Sequence, residues 1–245
     1  MPHSPNVNQC FLCGQIAGDA SRDLLAQMLP SHLYRRRVIL ENETFAVIPS
    51  LGALSPGHVL LCPKVHVKSL AQLGSGLAGN VEGEYSDLKM KLRRLLETHY
   101  DADVHYFEHG MATVSSHIPC TTEHAHLHFI PVPRSVAVVA NEGGTWSTCN
   151  KSLTAIAAYT GDQEYLLHET PDGVTRIATG PAGSFPSQSM RRLFASRLGY
   201  GDLWNWRTSP RPESADKTWR ALQQTAAANE DESADAQVLT TVSVT

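Results

Sequence analysis

The run Glu123-His124-Ala125-His126-Leu127-His128-Phe129-Ile130-Pro131 constrains this chain more than any other stretch. In an extended strand, successive side chains point to opposite faces. His124, His126 and His128 then line one face at roughly 6.6 Å spacing, and Ala125, Leu127 and Phe129 line the other and pack into a core. A row of imidazoles on an apolar-backed strand suits few tasks: binding a metal, attacking an electrophile or holding an anion. Three structural histidines in register are a poor alternative. The strand marks a chemical site.

A second cluster narrows the chemistry. Cys10-Phe11-Leu12-Cys13 is a C-x-x-C pair, half of a tetrahedral zinc site or a redox pair. Cys62, Cys120 and Cys149 are isolated, so zinc must draw its other two ligands from elsewhere, and histidine is the obvious source. The pair sits in a short leader ahead of any clear strand, which favours zinc over a redox pair or a disulfide.

Composition sets the bounds. At 245 residues and 42% hydrophobic, the chain can bury a full core. A net charge of −4 implies no broad basic surface for a nucleic-acid backbone. No apolar stretch approaches the roughly 20 residues of a membrane span, and the N-terminus lacks a signal-peptide pattern. Five cysteines with one close pair fit a reducing cytosol. The expectation is a soluble cytoplasmic protein without nucleic-acid or membrane partners.

Along the chain, 37–40 and 44–48 read as two strands joined by a turn at Glu41, Asn42 and Glu43. A Pro/Gly loop leads to the strand His58–Cys62. Helical stretches follow near 68–73 and 85–99, the latter with Leu88, Leu92, Leu95 and Leu96 at helical spacing. Val104–Phe107 is another strand before the histidine run. The pattern predicts an α+β fold, an antiparallel sheet with flanking helices. Beyond 136 the texture changes to a smaller α/β extension. It comprises a strand at Ser135–Val139, a helix at Asn150–Tyr159, a hairpin of Glu164–His168 with Val174–Ala178, a helix from Gln188 to about Leu198 capped by Ser187, and a last helix at Lys217–Ala228. Trp204-Asn205-Trp206-Arg207 reads as a packing anchor. The expected division is 9–135, 136–225 and a disordered tail over 226–245, with residues 1–8 a loose leader.

The H-x-H-x-H strand followed by apolar residues and proline resembles the signature of the histidine-triad superfamily. Three further segments agree in order and spacing: Cys10-x-x-Cys13, Pro56-Gly57-His58-Val59-Leu60-Leu61-Cys62-Pro63-Lys64-Val65-His66, and Phe107-Glu108-His109-Gly110. The combination spans residues 9–133 and is far more specific than any one motif. The resemblance implies a structural zinc held by Cys10, Cys13, His66 and His124, a donor set that fills a tetrahedron and leaves no open position. It also implies a nucleotide or nucleotide conjugate as ligand and a homodimer.

The mechanism implied by the resemblance makes His126 the nucleophile, forming a nucleotidyl-histidine that water resolves. His128 holds or protonates around the phosphate, and His58 supports the same face. The phosphate-donor loop reads Ser115-Ser116-His117-Ile118-Pro119-Cys120-Thr121-Thr122, with Thr121 where a serine commonly sits. Arg191, Arg192 and Gln188 are further phosphate candidates, although a solvent-facing arginine is the simpler expectation. Two positions depart from the pattern: Ser50 replaces a ribose-gripping acid, and Glu108 replaces an asparagine, where it would meet an amine or hydroxyl of the substrate. Hydrolysis of a phosphoramidate, dinucleoside polyphosphate or related conjugate is the leading expectation. Nucleotidyl transfer or phosphorolysis is the runner-up, since those branches commonly carry glutamine where this chain has His128. A zinc hydrolase with all three histidines on the metal, and a non-catalytic nucleotide-binding or scaffold protein, stand as further alternatives.

Overall fold

A computed structural model of the chain describes residues 9–76, 79–110, 124–141 and 145–226. Among them, eight strands form one antiparallel sheet in the order β1-β2-β3-β5-β4-β7-β8-β6. They are β1 (Leu40–Glu41), β2 (Phe45–Pro49), β3 (Val59–Pro63), β4 (Asp103–Gly110), β5 (Leu127–Val132), β6 (Ser147–Thr148), β7 (Glu164–Glu169) and β8 (Thr175–Gly180). The described sheet edges are two-residue strands, which leaves little unpaired backbone there.

Helices cover both faces, which explains why the strands read as continuous apolar runs rather than clean alternations. On one face lie α3 (Leu70–Ser75), α4 (Val81–Tyr100), α5 (Leu153–Thr160) and a last helix, α7, over 212–226. Leu92 and Leu96 of α4 and Leu222 of α7 pack there on Val59, Leu61, Tyr106, Leu127 and Phe129. The opposite face carries α1 (Phe11–Ala17) and α6 (Ser189–Arg197). Leu12 and Ile16 of α1 meet Ile48 and Leu60, while Met190 and Phe194 of α6 meet Phe107, Ile130 and Leu166. Leu127 and Phe129 face one layer and Ile130 the other, as the period of two requires.

The region after 136 continues the same sheet: β7 pairs with β4 across Tyr106↔Glu169 to Gly110↔Tyr165. Three expectations change. Residues 135–139 form no strand; Val138 and Ala140 pack into the core beneath α6, and the Ala140 amide donates to His168 Nδ1 at 3.2 Å. Gln188, not Ser187, stands at the N-cap of α6, with φ of 58° and no side-chain cap bond. The first predicted strand shortens to Leu40–Glu41. The leader at 1–8 and the tail beyond 226 lie outside the described residues.

Glu108 points away from the histidines, into the helix-covered face. Its Oε1 accepts the Leu70 amide at 2.9 Å, and Tyr165 Oη donates to its Oε2. Tyr165 lies so close to Gly110 that a Cβ there would sit 2.1 Å from the ring, which fixes that position as glycine. Glu108 therefore braces β4 against β7 and α3 and does not meet a substrate. Burial pushes its carboxyl up to about 7, against an ordinary 4.5. The folded state thus holds the proton more tightly than the unfolded chain. The resulting stability is fully present below about pH 4.5 and is lost as pH rises through 7, in total about 3 kcal/mol. In Glu108→Gln this dependence is absent. Denaturant melts from pH 4.5 to 8 should therefore show the variant gaining about 3 kcal/mol on the wild type. A constant difference across that range would contradict the assignment.

Candidate active site and metal centre

The metal centre forms where α1 docks on the sheet. Cys10 caps α1, its Sγ accepting the Cys13 amide at 3.4 Å. Cys13 Sγ lies 3.2 Å from both His66 Nδ1 and His124 Nδ1, and Cys10 Sγ lies 3.5 Å from His124 Nδ1. All four donor atoms fall within 4.8 Å of one another. Zinc bonds of about 2.3 Å to sulfur and about 2.05 Å to nitrogen give tetrahedral edges of roughly 3.3–3.8 Å, close to these separations. His124 donates its Nε2 hydrogen to the Pro63 carbonyl at 2.8 Å, which leaves the Nδ1 lone pair for a metal. The hydrogen bond from Cys13 holds the Cys10 thiol far below its ordinary value, and His124 and His66 add to this. The donor set fits a structural zinc. His126 and His128 take no part in it, so a metal shared by all three histidines is not what the fold builds.

His124 and His126 precede β5, and His128 lies within it. The His126 ring donates from Nδ1 to the carbonyl of His124 at 2.7 Å. That bond fixes the tautomer and leaves Nε2 with a lone pair toward the pocket. Burial lowers its pKa to about 4, so the ring is neutral near pH 7. A second chain of bonds orients His128. The Leu54 amide donates to His58 Nδ1 at 3.0 Å, so the His58 hydrogen sits on Nε2 and goes to His128 Nδ1 at 2.8 Å. His128 therefore presents an Nε2 hydrogen. Burial keeps both rings well below the usual histidine range. Phe107 stacks on His128 with centroids 4.1 Å apart.

One wall of the pocket was missed at the sequence level. His109, on β4, falls opposite His126 when the Phe107↔His128 register is extended by two residues. Its Nε2 bonds Glu164 Oε1 at 2.6 Å, while Glu164 Oε2 accepts the Gly183 and Ser184 amides. Glu164 is fully buried, and His109 Nδ1 is buried without a partner at the pocket lining. Only the pairing of β7 with β4 brings the two residues together.

Arg191 is 4% exposed, which corrects the expectation of a solvent-facing side chain. Its Nε donates to the Trp204 carbonyl at 2.8 Å and its Nη2 to the Gly52 carbonyl. No carboxylate pairs with it among the described residues, and burial, with Arg211 nearby, pulls it down to about 9. A buried cation lining a histidine pocket without a counter-ion has the chemistry to receive an anion. Arg192 instead stacks on Trp204, 3.7 Å from the ring centroid.

The remaining walls are apolar. Phe11 and Leu12 of α1 face Leu51, Leu60 and Trp206, with the Phe11 and Trp206 rings 5.5 Å apart. Trp206, expected only to pack, lines the pocket as well. Its Cβ would lie 2.6 Å from a Cβ at residue 52, so Gly52, at φ of 62°, is required there. Gln15 is 2% exposed and its Nε2 has no partner. Ser50 lines the same pocket and donates to the Leu51 carbonyl. Thr121 and the loop 115–122 lie outside the described residues.

No protein-family model and no curated protein matches the chain. Similar solved structures include the SMU.412c protein of Streptococcus mutans, 24% identical over 58% of this chain and 78% of that one, at a TM-score of 0.38. A zinc-bound histidine triad family protein of Mycobacterium smegmatis is 20% identical, covering 53% of this chain and 78% of that one, at 0.37. A Hit-like protein of Bartonella henselae is 16% identical, covering 57% of this chain and 89% of that one, also at 0.37. No helix among the described residues is long and apolar enough to cross a membrane.

Proposed function

We propose that this protein hydrolyses a nucleotide conjugate through a covalent nucleotidyl intermediate on His126. One observation carries the reading: the His124 carbonyl holds the His126 Nδ1 hydrogen and leaves an unprotonated Nε2 beside His128, His109 and the unpaired Arg191. In the first step Nε2 attacks the α-phosphorus, the P–N bond forms and the bond to the leaving group breaks. The leaving group carries off the electron pair and takes a proton from His109. His128 donates its Nε2 hydrogen to a non-bridging oxygen, and Arg191 offsets the charge that builds there. Water then attacks phosphorus, His109 receives its proton, and the P–N bond breaks to release a nucleoside monophosphate and free His126.

The base stacks at the Phe11–Trp206 wall, with Gln15 Nε2 as its polar contact. Bound zinc supplies no step; it ties α1, and with it Phe11, Leu12 and Gln15, to the segment that aims His126. We assign the same sites to zinc as the sequence motifs imply: Cys10, Cys13, His66 and His124. A panel of nucleotide phosphoramidates, dinucleoside polyphosphates and sugar nucleotides tests the reading. Release of a nucleoside monophosphate in water is expected. Turnover only when phosphate or an alcohol acceptor is added, giving a nucleoside diphosphate or a nucleotide ester, would assign the site to transfer instead.

His109 and Glu164 give a separable prediction. If His109 protonates the leaving group, His109→Ala slows the first step, read as leaving-group release in a single turnover, by about a hundredfold for an alkylamine conjugate. For a nitrophenyl ester of the same nucleotide, whose leaving group needs no proton, the loss shrinks to a small factor. Glu164→Gln, which removes the carboxylate that holds His109, shows the same leaving-group dependence with a smaller loss. Equal losses on both substrates would remove His109 from the acid role.

A further inference from the structure

Behind the loop that carries Gly52, Leu54 and His58 lies a second cavity of about 300 Å³, separate from the histidine pocket. At about 30 Å³ per water, it has room for a phosphate and several waters. Its lining includes Arg211, Lys217, Ser214, Ser55, Tyr100 and His99, and no lining residue is acidic. Of the two carboxylates on α7 beside the lining residues, Asp216 is engaged by Arg37 and Arg220, and Glu213 is exposed and outside the lining.

Two residues of this cavity carry donors without a partner among the described residues. Arg211 Nε and Nη2, the two hydrogens of one edge of the guanidinium, are buried and have no hydrogen-bond partner. Ser55 is 8% exposed, and its Oγ is likewise buried without a partner. A buried donor left without a partner costs about 1–3 kcal/mol, more for a charge, so these groups mark where a polar occupant binds. A guanidinium edge matches two oxygens of an oxyanion, a hydroxyl supplies a third donor, and an ammonium adds charge.

We propose that this cavity is a binding site for a phosphate dianion, held by Arg211 with Ser55 and Lys217. The occupant is either inorganic phosphate or the terminal phosphate of a nucleotide. Its position is consequential: Ala53 and Ser55 line the cavity, while Gly52 and Leu54 of the same loop hold Arg191 and His58. Burial chiefly, and the Arg211 charge in addition, depress both of those groups, so an anion beside Arg211 offsets the second of these influences across the loop. The proposal does not depend on the hydrolase reading, and its test needs no turnover.

Calorimetric titration of the full chain with inorganic phosphate provides that test. The Arg191→Gln background removes the cation of the histidine pocket, so the phosphate still bound reports the cavity. Adding Arg211→Gln weakens that binding by about tenfold or more, the effect of losing hydrogen bonds to a charged group. Lys217 is exposed, so Lys217→Glu, added instead, weakens binding while leaving the thermal melt unchanged, which covers the case in which Arg211→Gln fails to fold. A parallel titration with a nucleoside 5′-monophosphate distinguishes the sources. Tighter, Arg211-dependent binding identifies a nucleotide, and equal binding identifies free phosphate. Saturable binding untouched by Lys217→Glu, or no saturable binding of either probe, would overturn the proposal.

Discussion

His126→Ala is expected to lower turnover at least about a thousandfold while the protein keeps its zinc and its melting temperature. The size follows from the role. Without Nε2 there is no covalent route, and the remaining groups can only position water against a poor leaving group. Metal retention follows from geometry: the four zinc donors are Cys10, Cys13, His66 and His124, and the His126 side chain touches only the His124 carbonyl among that set. KM should change little, because the base wall at Phe11 and Trp206 and the anion receptor at Arg191 stay in place. Measuring kcat, KM and zinc content together checks all three statements. Loss of metal with activity would return the histidines to a shared metal site.

Removal of zinc gives the second large effect. Chelation, or Cys13→Ser, is expected to lower Tm by roughly 10 °C. A ligand bound about a thousandfold above its Kd contributes about 4 kcal/mol, and each kcal/mol moves a domain of this size by about 2–4 °C. Turnover should fall with it. The ion clamps α1 to the segment carrying His124, whose carbonyl sets the His126 tautomer, and α1 supplies Phe11, Leu12 and Gln15 to the pocket. Cys149→Ser, outside the cluster, serves as control and keeps metal, Tm and rate. Metal-free protein with wild-type Tm and turnover would refute the structural role.

The legible parts of this chain were those with a local signal. The alternating histidines, the leucine spacing of α4 and the hairpin over 164–178 each announce an element within a few residues. The zinc ligands Cys10, Cys13, His66 and His124 were legible through motif resemblance, since nothing local links His66 to Cys10. Glu108 was misplaced because period-two alternation on β4 cannot say which face holds the pocket. Here Phe107 and His109 face the pocket, and Tyr106 and Glu108 face α3 and α4. The His109–Glu164 pair was invisible, because it depends on β7 docking against β4 more than fifty residues away.

Arg191 did carry a signal. Residues 190, 191, 194 and 195 form one buried stripe of α6, so the helical period already turned Arg191 inward beside Met190 and Phe194. An arginine on an apolar stripe is a conflict between local pattern and burial, and such conflicts gather at functional sites. The apolar run at 135–139 misled in the opposite direction. Its hydrophobicity serves packing under α6, and no neighbouring strand offers it a ladder.

Intact-mass measurement of the enzyme quenched during turnover in alkaline denaturant, which preserves the acid-labile P–N bond, tests the nucleotidyl-histidine on His126 most directly. With the substrate chosen from the panel, the account predicts an added mass of one nucleotidyl group, mapped by peptide digestion to His126 and absent from His126→Ala. Steady turnover with no adduct on the wild type, or an adduct on another residue, would contradict it.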